Sequence, residues 1–80
     1  MKIFGIDPGS ERTGYGCIDV QGSRHVLVIC GSISAPAGST FPDKLKRIHA
    51  GLSALLDRHR PECVAVENIF YARNVRSELT

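Results

Sequence analysis

The sequence has no pair of cysteines at metal or redox spacing, no long apolar run and no strong charge of either sign. Cys17, Cys30 and Cys63 are odd in number and far apart, and each sits in an apolar stretch. With no C-x-x-C motif among them, they predict reduced, core-packed thiols in a cytosolic protein. No segment approaches the roughly 18 apolar residues of a membrane helix. The opening run reaches a charge at Asp7, too soon for a signal peptide. A net charge of +2 does not by itself mark a nucleic-acid binder. Low-complexity segments and internal repeats are missing too. What these absences leave is one small, soluble, intracellular domain. At 80 residues and 42% hydrophobic content it has enough apolar material for a packed core and only a thin stability margin.

Period and punctuation divide the chain. Residues 2–7 form a short apolar run ending at Asp7, consistent with a buried strand broken by Pro8-Gly9-Ser10. Residues 14–21 and 24–33 read as two further strands. Gly22-Ser23 between them suits a hairpin with glycine at the first turn position. Three strands so joined make an antiparallel meander. After the loop from Ala35 to Thr40, the period changes. Leu45, Ile48, Leu52, Leu55 and Leu56 predict an amphipathic helix over 42–59. Thr40 and Asp43 provide a capping signal, Pro42 suits the first turn, and Pro61 closes the helix. Its exposed face carries Lys44, Lys46, Arg47, Arg58 and Arg60. Residues 63–67 are a second buried-strand run ending in a carboxylate, Glu67. The tail from Asn68 begins another helix and stops without a cap.

Two strands therefore end in acids. The third strand runs parallel to the first, and a helical crossover delivers the fourth parallel to both. If the fourth strand lies on the free edge of the first, Asp7 and Glu67 stand side by side; docking on the third strand instead is left open. Adjacent carboxylates repel, so a fold that holds them together needs a cation, a shared proton or a positive partner between them. Mg²⁺ is commonly held by one or two carboxylates with waters and phosphate oxygens, and such ions support phosphodiester cleavage. Either acid alone reads equally as a solvated strand-end residue. Around Asp7, Gly9 lets a phosphate approach the backbone, Ser10 and Thr13 offer hydroxyls, and Gly14 and Gly16 begin a closely approached strand. His25, His49 and His59 show no ligand spacing.

The string Asp7-Pro8-Gly9-Ser10-Glu11-Arg12-Thr13-Gly14-Tyr15-Gly16 resembles the signature of the RuvC family of Holliday-junction resolvases, the crossover junction endodeoxyribonucleases. Val64-Ala65-Val66-Glu67-Asn68-Ile69-Phe70 resembles that family's second motif, and Arg73, Asn74 and Ser77 continue it. The resemblance implies an α/β, ribonuclease H-like mixed sheet: strands one to three antiparallel, strand four parallel to the first, truncated, with residues 1–80 the N-terminal part of a single nuclease domain. It implies that Asp7 and Glu67 are catalytic, metal-binding carboxylates for Mg²⁺, with Mn²⁺ as an alternative. Ser10, Phe70, Arg73 and Asn74 become DNA-binding residues. Phe70 is the aromatic at the junction crossover on this reading, and a core residue flanking the strand on the plainer one.

Four-way junction DNA is the implied substrate in recombination and repair. A homodimer in the full-length protein and the RuvA–RuvB branch-migration complex are the implied partners, in bacterial cytoplasm with no membrane role. The family's site is completed by two further acidic positions on a C-terminal helix, one of them His in some members. Asp19, Asp43, Asp57, Glu62 and Glu78 do not occupy an equivalent place. These 80 residues alone are thus expected to be inactive or nearly so. Three rivals stand beside this reading: a ribonuclease H-like nuclease acting on RNA, a nucleotide-binding fragment of the actin and sugar-kinase type, and a non-catalytic binding module.

Overall fold

Apolar residues at alternate positions build the sheet, and among the described residues one helix covers one side of it. The computed structural model describes residues 1–9 and 11–67. The elements are β1 (Lys2–Asp7), β2 (Arg12–Gln21), β3 (Arg24–Ser34), α1 (Phe41–His59) and β4 (Cys63–Val66). The sheet order is β3-β2-β1-β4, with β1 antiparallel to β2, β2 antiparallel to β3, and β4 parallel to β1. The expected mixed α/β sheet is the one observed. The choice left open in the sequence, which edge receives the fourth strand, falls to β1.

Local chemistry accounts for the connections. Gly22 takes a left-handed φ of 63° while Ser23 does not, the pattern of a hairpin turn with glycine first. β2 begins at Arg12, two residues before the glycine that marks it in sequence, because Arg12 and Thr13 pair with Ser34 and Ile33. A register shift leaves Val28 without an opposite residue, since Cys17 pairs with Ile29 and Ile18 with Leu27. Such a bulge twists and blunts an edge strand. In α1, the Thr40 hydroxyl accepts from the Asp43 N–H at 3.3 Å. Pro42 stands in the first turn, where its missing N–H costs nothing. The helix ends at Arg60, left-handed at φ 48° and followed by Pro61. Lys2 Nζ donates to the His59 carbonyl at 3.2 Å, placing a cation at the negative end of the helix.

Alternation then sorts the side chains onto two faces. Phe4, Thr13, Tyr15, Cys17 and Ile33 share the helix side. Phe4 and Cys17 are fully buried and Thr13 is 3% exposed. The rings of Phe4 and Tyr15 stack in parallel with centroids 5.9 Å apart. A side chain at Gly31 would run into the Tyr15 phenol. A Cβ on Gly51 would press on Ile33, so this mid-helix glycine seats α1 closely on β3. Glycine at such a position costs about 1 kcal/mol of helix propensity, offset here by the close approach.

Several expectations change. Of the three cysteines only Cys17 is buried; Cys30 and Cys63 are exposed, because their registers with Gly16 and Ile3 turn them to the side opposite α1. β4 is exposed at all four residues rather than buried, since it is the edge strand and no described element covers it. On α1, Ile48, Leu52, Leu55 and Leu56 are half-buried, whereas Leu45 is 51% exposed. Lys44 is half-buried instead of exposed, and Arg47 Nε donates to the Ser34 carbonyl at 2.8 Å. His59 is half-buried as well, its Nε2 shielded and without a partner among the described residues.

Candidate active site

The side of the sheet opposite α1 is built from small residues and two acids. Ile3, Gly5 and Asp7 of β1 point there, with Gly14, Gly16 and Ile18 of β2 beside them. Ala65 of β4 completes the floor through its register with Gly5. A Cβ added to Gly5, Gly14 or Gly16 would meet no atom closer than 3.8 Å. The floor is therefore low and open, and the concavity above it reaches both Asp7 and Glu67.

The parallel register brings the acids together. Ile6 pairs with Val66, and the Glu67 N–H donates to the Ile6 carbonyl at 2.9 Å. That bond extends the ladder one step past β4 and sets Glu67 alongside Asp7, with strand spacing near 4.8 Å. Asp7 also pairs with Gly14 of β2, which has no side chain to crowd the carboxylate. Both acids are exposed. Glu67's carboxyl lies above its ordinary range, chiefly through a hydrogen bond with Asp7, then through Asp7's negative charge, then through partial desolvation. A carboxyl whose neighbour is a second carboxyl is disfavoured in its charged form when nothing positive stands between them.

The turn after Asp7 departs from its sequence reading. A Cβ at Gly9 would collide with the Arg12 carbonyl, so glycine is needed there for the chain to fold back on itself. Thr13 offers no hydroxyl to this face, being buried under α1. Ser10, Phe70, Arg73 and Asn74 lie outside the described residues.

Two hard oxygen donors side by side on adjacent strands fit a hard divalent cation such as Mg²⁺, which takes one or two carboxylates and fills its remaining positions with water and phosphate oxygens. The like charge that raises Glu67's pKa is what such an ion would neutralise. Among the described residues no group of three or more His, Cys, Asp or Glu side chains converges on one point. Further protein donors would have to come from elsewhere.

A three-stranded meander, a helical crossover and a fourth strand parallel to the first, with acids at the ends of these two adjacent parallel strands, define a ribonuclease H-like sheet. Comparison with known proteins narrows this. The family model for crossover junction endodeoxyribonuclease RuvC matches residues 3–80, and the chain belongs to the RuvC family.

The protein of that name from Geotalea uraniireducens is 49% identical over 79 residues, covering 99% of this chain and 46% of the relative. The one from Pelotomaculum thermopropionicum is 42% identical over 80 residues, covering 100% and 49%. Among solved structures, Thermus thermophilus RuvC superposes with a TM-score of 0.79 at 33% identity, covering 88% of this chain and 46% of that one. The same protein in complex with a Holliday junction substrate gives 0.78 at 36% identity, covering 92% and 48%. The chain spans about half the length of the curated relatives it matches.

Proposed function

We propose that these 80 residues form the N-terminal part of a single ribonuclease H-like nuclease domain whose whole chain resolves four-way DNA junctions by Mg²⁺-dependent phosphodiester hydrolysis. The observation that carries the reading is the register that sets Asp7 beside Glu67 on the side of the sheet opposite α1. Support comes from the relatives, named as crossover junction endodeoxyribonucleases, and from the solved relative seen with a Holliday junction.

In this role Asp7 and Glu67 hold the divalent ion from two adjacent strands. A divalent ion bound there supplies activation of water and stabilisation of the leaving oxygen. The glycine floor lets a sugar-phosphate backbone lie close to both carboxylates. Gly14 keeps the space beside Asp7 clear, and the backbone bond from Glu67 to Ile6 fixes the reach of the second acid. Ser10, Phe70, Arg73 and Asn74 belong to the same reading as DNA contacts, the aromatic stacking on a base near the crossover and Arg73 neutralising backbone. Mn²⁺ would substitute for Mg²⁺. A homodimer, cooperation with the RuvA–RuvB branch-migration complex, roles in recombination and repair, and a place in bacterial cytoplasm follow from the family reading. Among the described residues no helix is long and apolar enough to cross a membrane.

The test is junction cleavage by the family-length chain carrying Asp7→Asn or Glu67→Gln. Each variant is expected to lose cutting by at least about 10²-fold, the scale of removing one positioned catalytic group, while retaining junction binding. Cutting at the wild-type rate by either would reject the assignment. The 80-residue chain alone, with only two of the site's acids, is expected to cut at no measurable rate.

A further inference from the structure

The face that holds the two acids also holds a cation that their chemistry leaves unused. Along β2, Arg12, Gly14 and Gly16 alternate onto this face while Thr13 and Tyr15 turn beneath α1. Gly14 pairs with Asp7 on one side and Ser32 on the other. The row Glu67, Asp7, Gly14, Ser32 therefore crosses the sheet from β4 to β3, with a gap in the middle where glycine has no side chain. Arg12 pairs with Ser34 one step beyond that row, about 7 Å further along its strand and one strand spacing of about 5 Å to the side of the acids.

Arg12 shares this face of the sheet with the two carboxylates, and among the described residues no ion pair joins it to either. The salt bridge among the described residues joins Met1 to Asp19. The arginine side chain that donates a hydrogen bond among them is Arg47. Arg12 is exposed, and its planar, permanently charged fork suits a phosphate in two-point contact. Ser32 is exposed as well and borders the same concavity as Asp7, Gly14 and Glu67. It stands roughly 10 Å from Asp7, two strand spacings away. A polyanion laid across the glycine gap would have its scissile phosphate over the acids and a neighbouring phosphate at the arginine. Charge complementarity favours this occupant, since the acids repel an anion that is not bridged by a cation and Arg12 attracts it on one side only.

We infer that Arg12, with the Ser32 hydroxyl beside it, binds a backbone phosphate next to the scissile one and so sets which phosphodiester lies over Asp7 and Glu67. This rests on the proposed nuclease role of the acid pair and adds a register-setting contact to it.

The experiment uses the family-length chain with Arg12→Gln, Arg12→Lys, Ser32→Ala and, at the far end of the sheet, Arg24→Gln. Junction affinity without divalent ion is measured across roughly 50 to 200 mM salt, where each phosphate contact contributes about 0.7 to 0.9 to the log–log slope. Cleavage is then mapped at nucleotide resolution in Mg²⁺. Arg12→Gln is expected to lower the slope by one such contact, raise KM several-fold with kcat little changed, and spread the cuts over neighbouring phosphodiesters. Arg12→Lys keeps the slope and Ser32→Ala leaves it unchanged with a smaller rise in KM. Arg24→Gln alters neither slope nor cut position.

An Arg12→Gln variant with wild-type slope and wild-type cut position would overturn the inference, as would an equal effect from Arg24→Gln. If the unsubstituted chain and its Asp7→Asn variant cut alike, the nuclease reading fails instead, and the salt slope still reports on Arg12.

Discussion

Two pairs of carboxylates stand at opposite ends of one sheet, and their surroundings differ. Where β1 begins, Asp19 accepts from the Met1 ammonium at 3.2 Å and from Gln21 Nε2 at 3.1 Å. Close by, Glu62 accepts the Lys2 backbone N–H at 2.7 Å. Both acids lie below their ordinary range, Asp19 chiefly through the hydrogen bond from the terminal ammonium and Glu62 chiefly through the one from Lys2. Where β1 ends, Glu67 finds only another acid, and its pKa moves the opposite way. All four residues sit at or near strand ends. The difference is in the partners: one end is closed by donors, and the other is short of positive charge. A strand-end acid is thus a weak functional signal by itself, and an acid whose nearest partner is a second acid is a strong one.

The largest break between the two ends should appear in ion binding. Glu67→Gln is expected to weaken Mn²⁺ affinity by more than about tenfold, since loss of even a supporting group near a metal costs 10–100-fold. Glu62→Gln should leave that affinity unchanged. Calorimetric titration of both variants against the unsubstituted protein reads the contrast directly.

Stability against pH should separate the ends by sign. Glu62 has a folded pKa below its ordinary 4.5, so its contribution is complete above that value and is lost as pH falls through the folded pKa. Glu62→Gln should therefore lower the thermal midpoint at pH 7 and converge with the parent in acid. Glu67 has a folded pKa above 4.5. The folded state then holds the extra proton, and the contribution is favourable below 4.5 and lost as pH rises through the folded pKa. Glu67→Gln, measured without divalent ions, should raise the midpoint at pH 7 and match the parent below pH 4.5. Midpoints moving the same way in both variants would erase the distinction.

The smallest effect concerns salt. Asp7 and Glu67 are exposed, so raising ionic strength screens the charge component of their repulsion. Glu67's titration midpoint, followed by carbon NMR at its carboxyl, should drift modestly toward the ordinary value. The Glu62 midpoint, set chiefly by a direct hydrogen bond, should move less.

Much of this arrangement is legible in the sequence. The switch from alternating to helical period located α1 within one residue of its start, and Gly22-Ser23 identified the hairpin. Asp7 and Glu67 stood out because hydrophobicity stops at each of them. The sheet edge that receives β4 was not legible, since β1 and β3 run the same way and both offer a free edge to a parallel strand. Nor was the side on which each cysteine lies: an apolar run shows that a strand is wanted, and only register with its neighbours decides which of its residues meet the helix. The early start of β2 has the same origin, because Arg12 and Thr13 are held by partners some twenty residues away in β3. Arg12's place was not legible for a related reason, as only the register of β1 with β2 puts it on the same face as Asp7.

The central claim is that a divalent cation sits between the carboxylates of Asp7 and Glu67, and anomalous diffraction from Mn²⁺-soaked crystals of the family-length protein tests it most directly. A peak about 2 Å from an oxygen of each acid, absent in Glu67→Gln crystals, is the expected result. A map with no peak there at saturating Mn²⁺, or with the ion bound elsewhere, would contradict it.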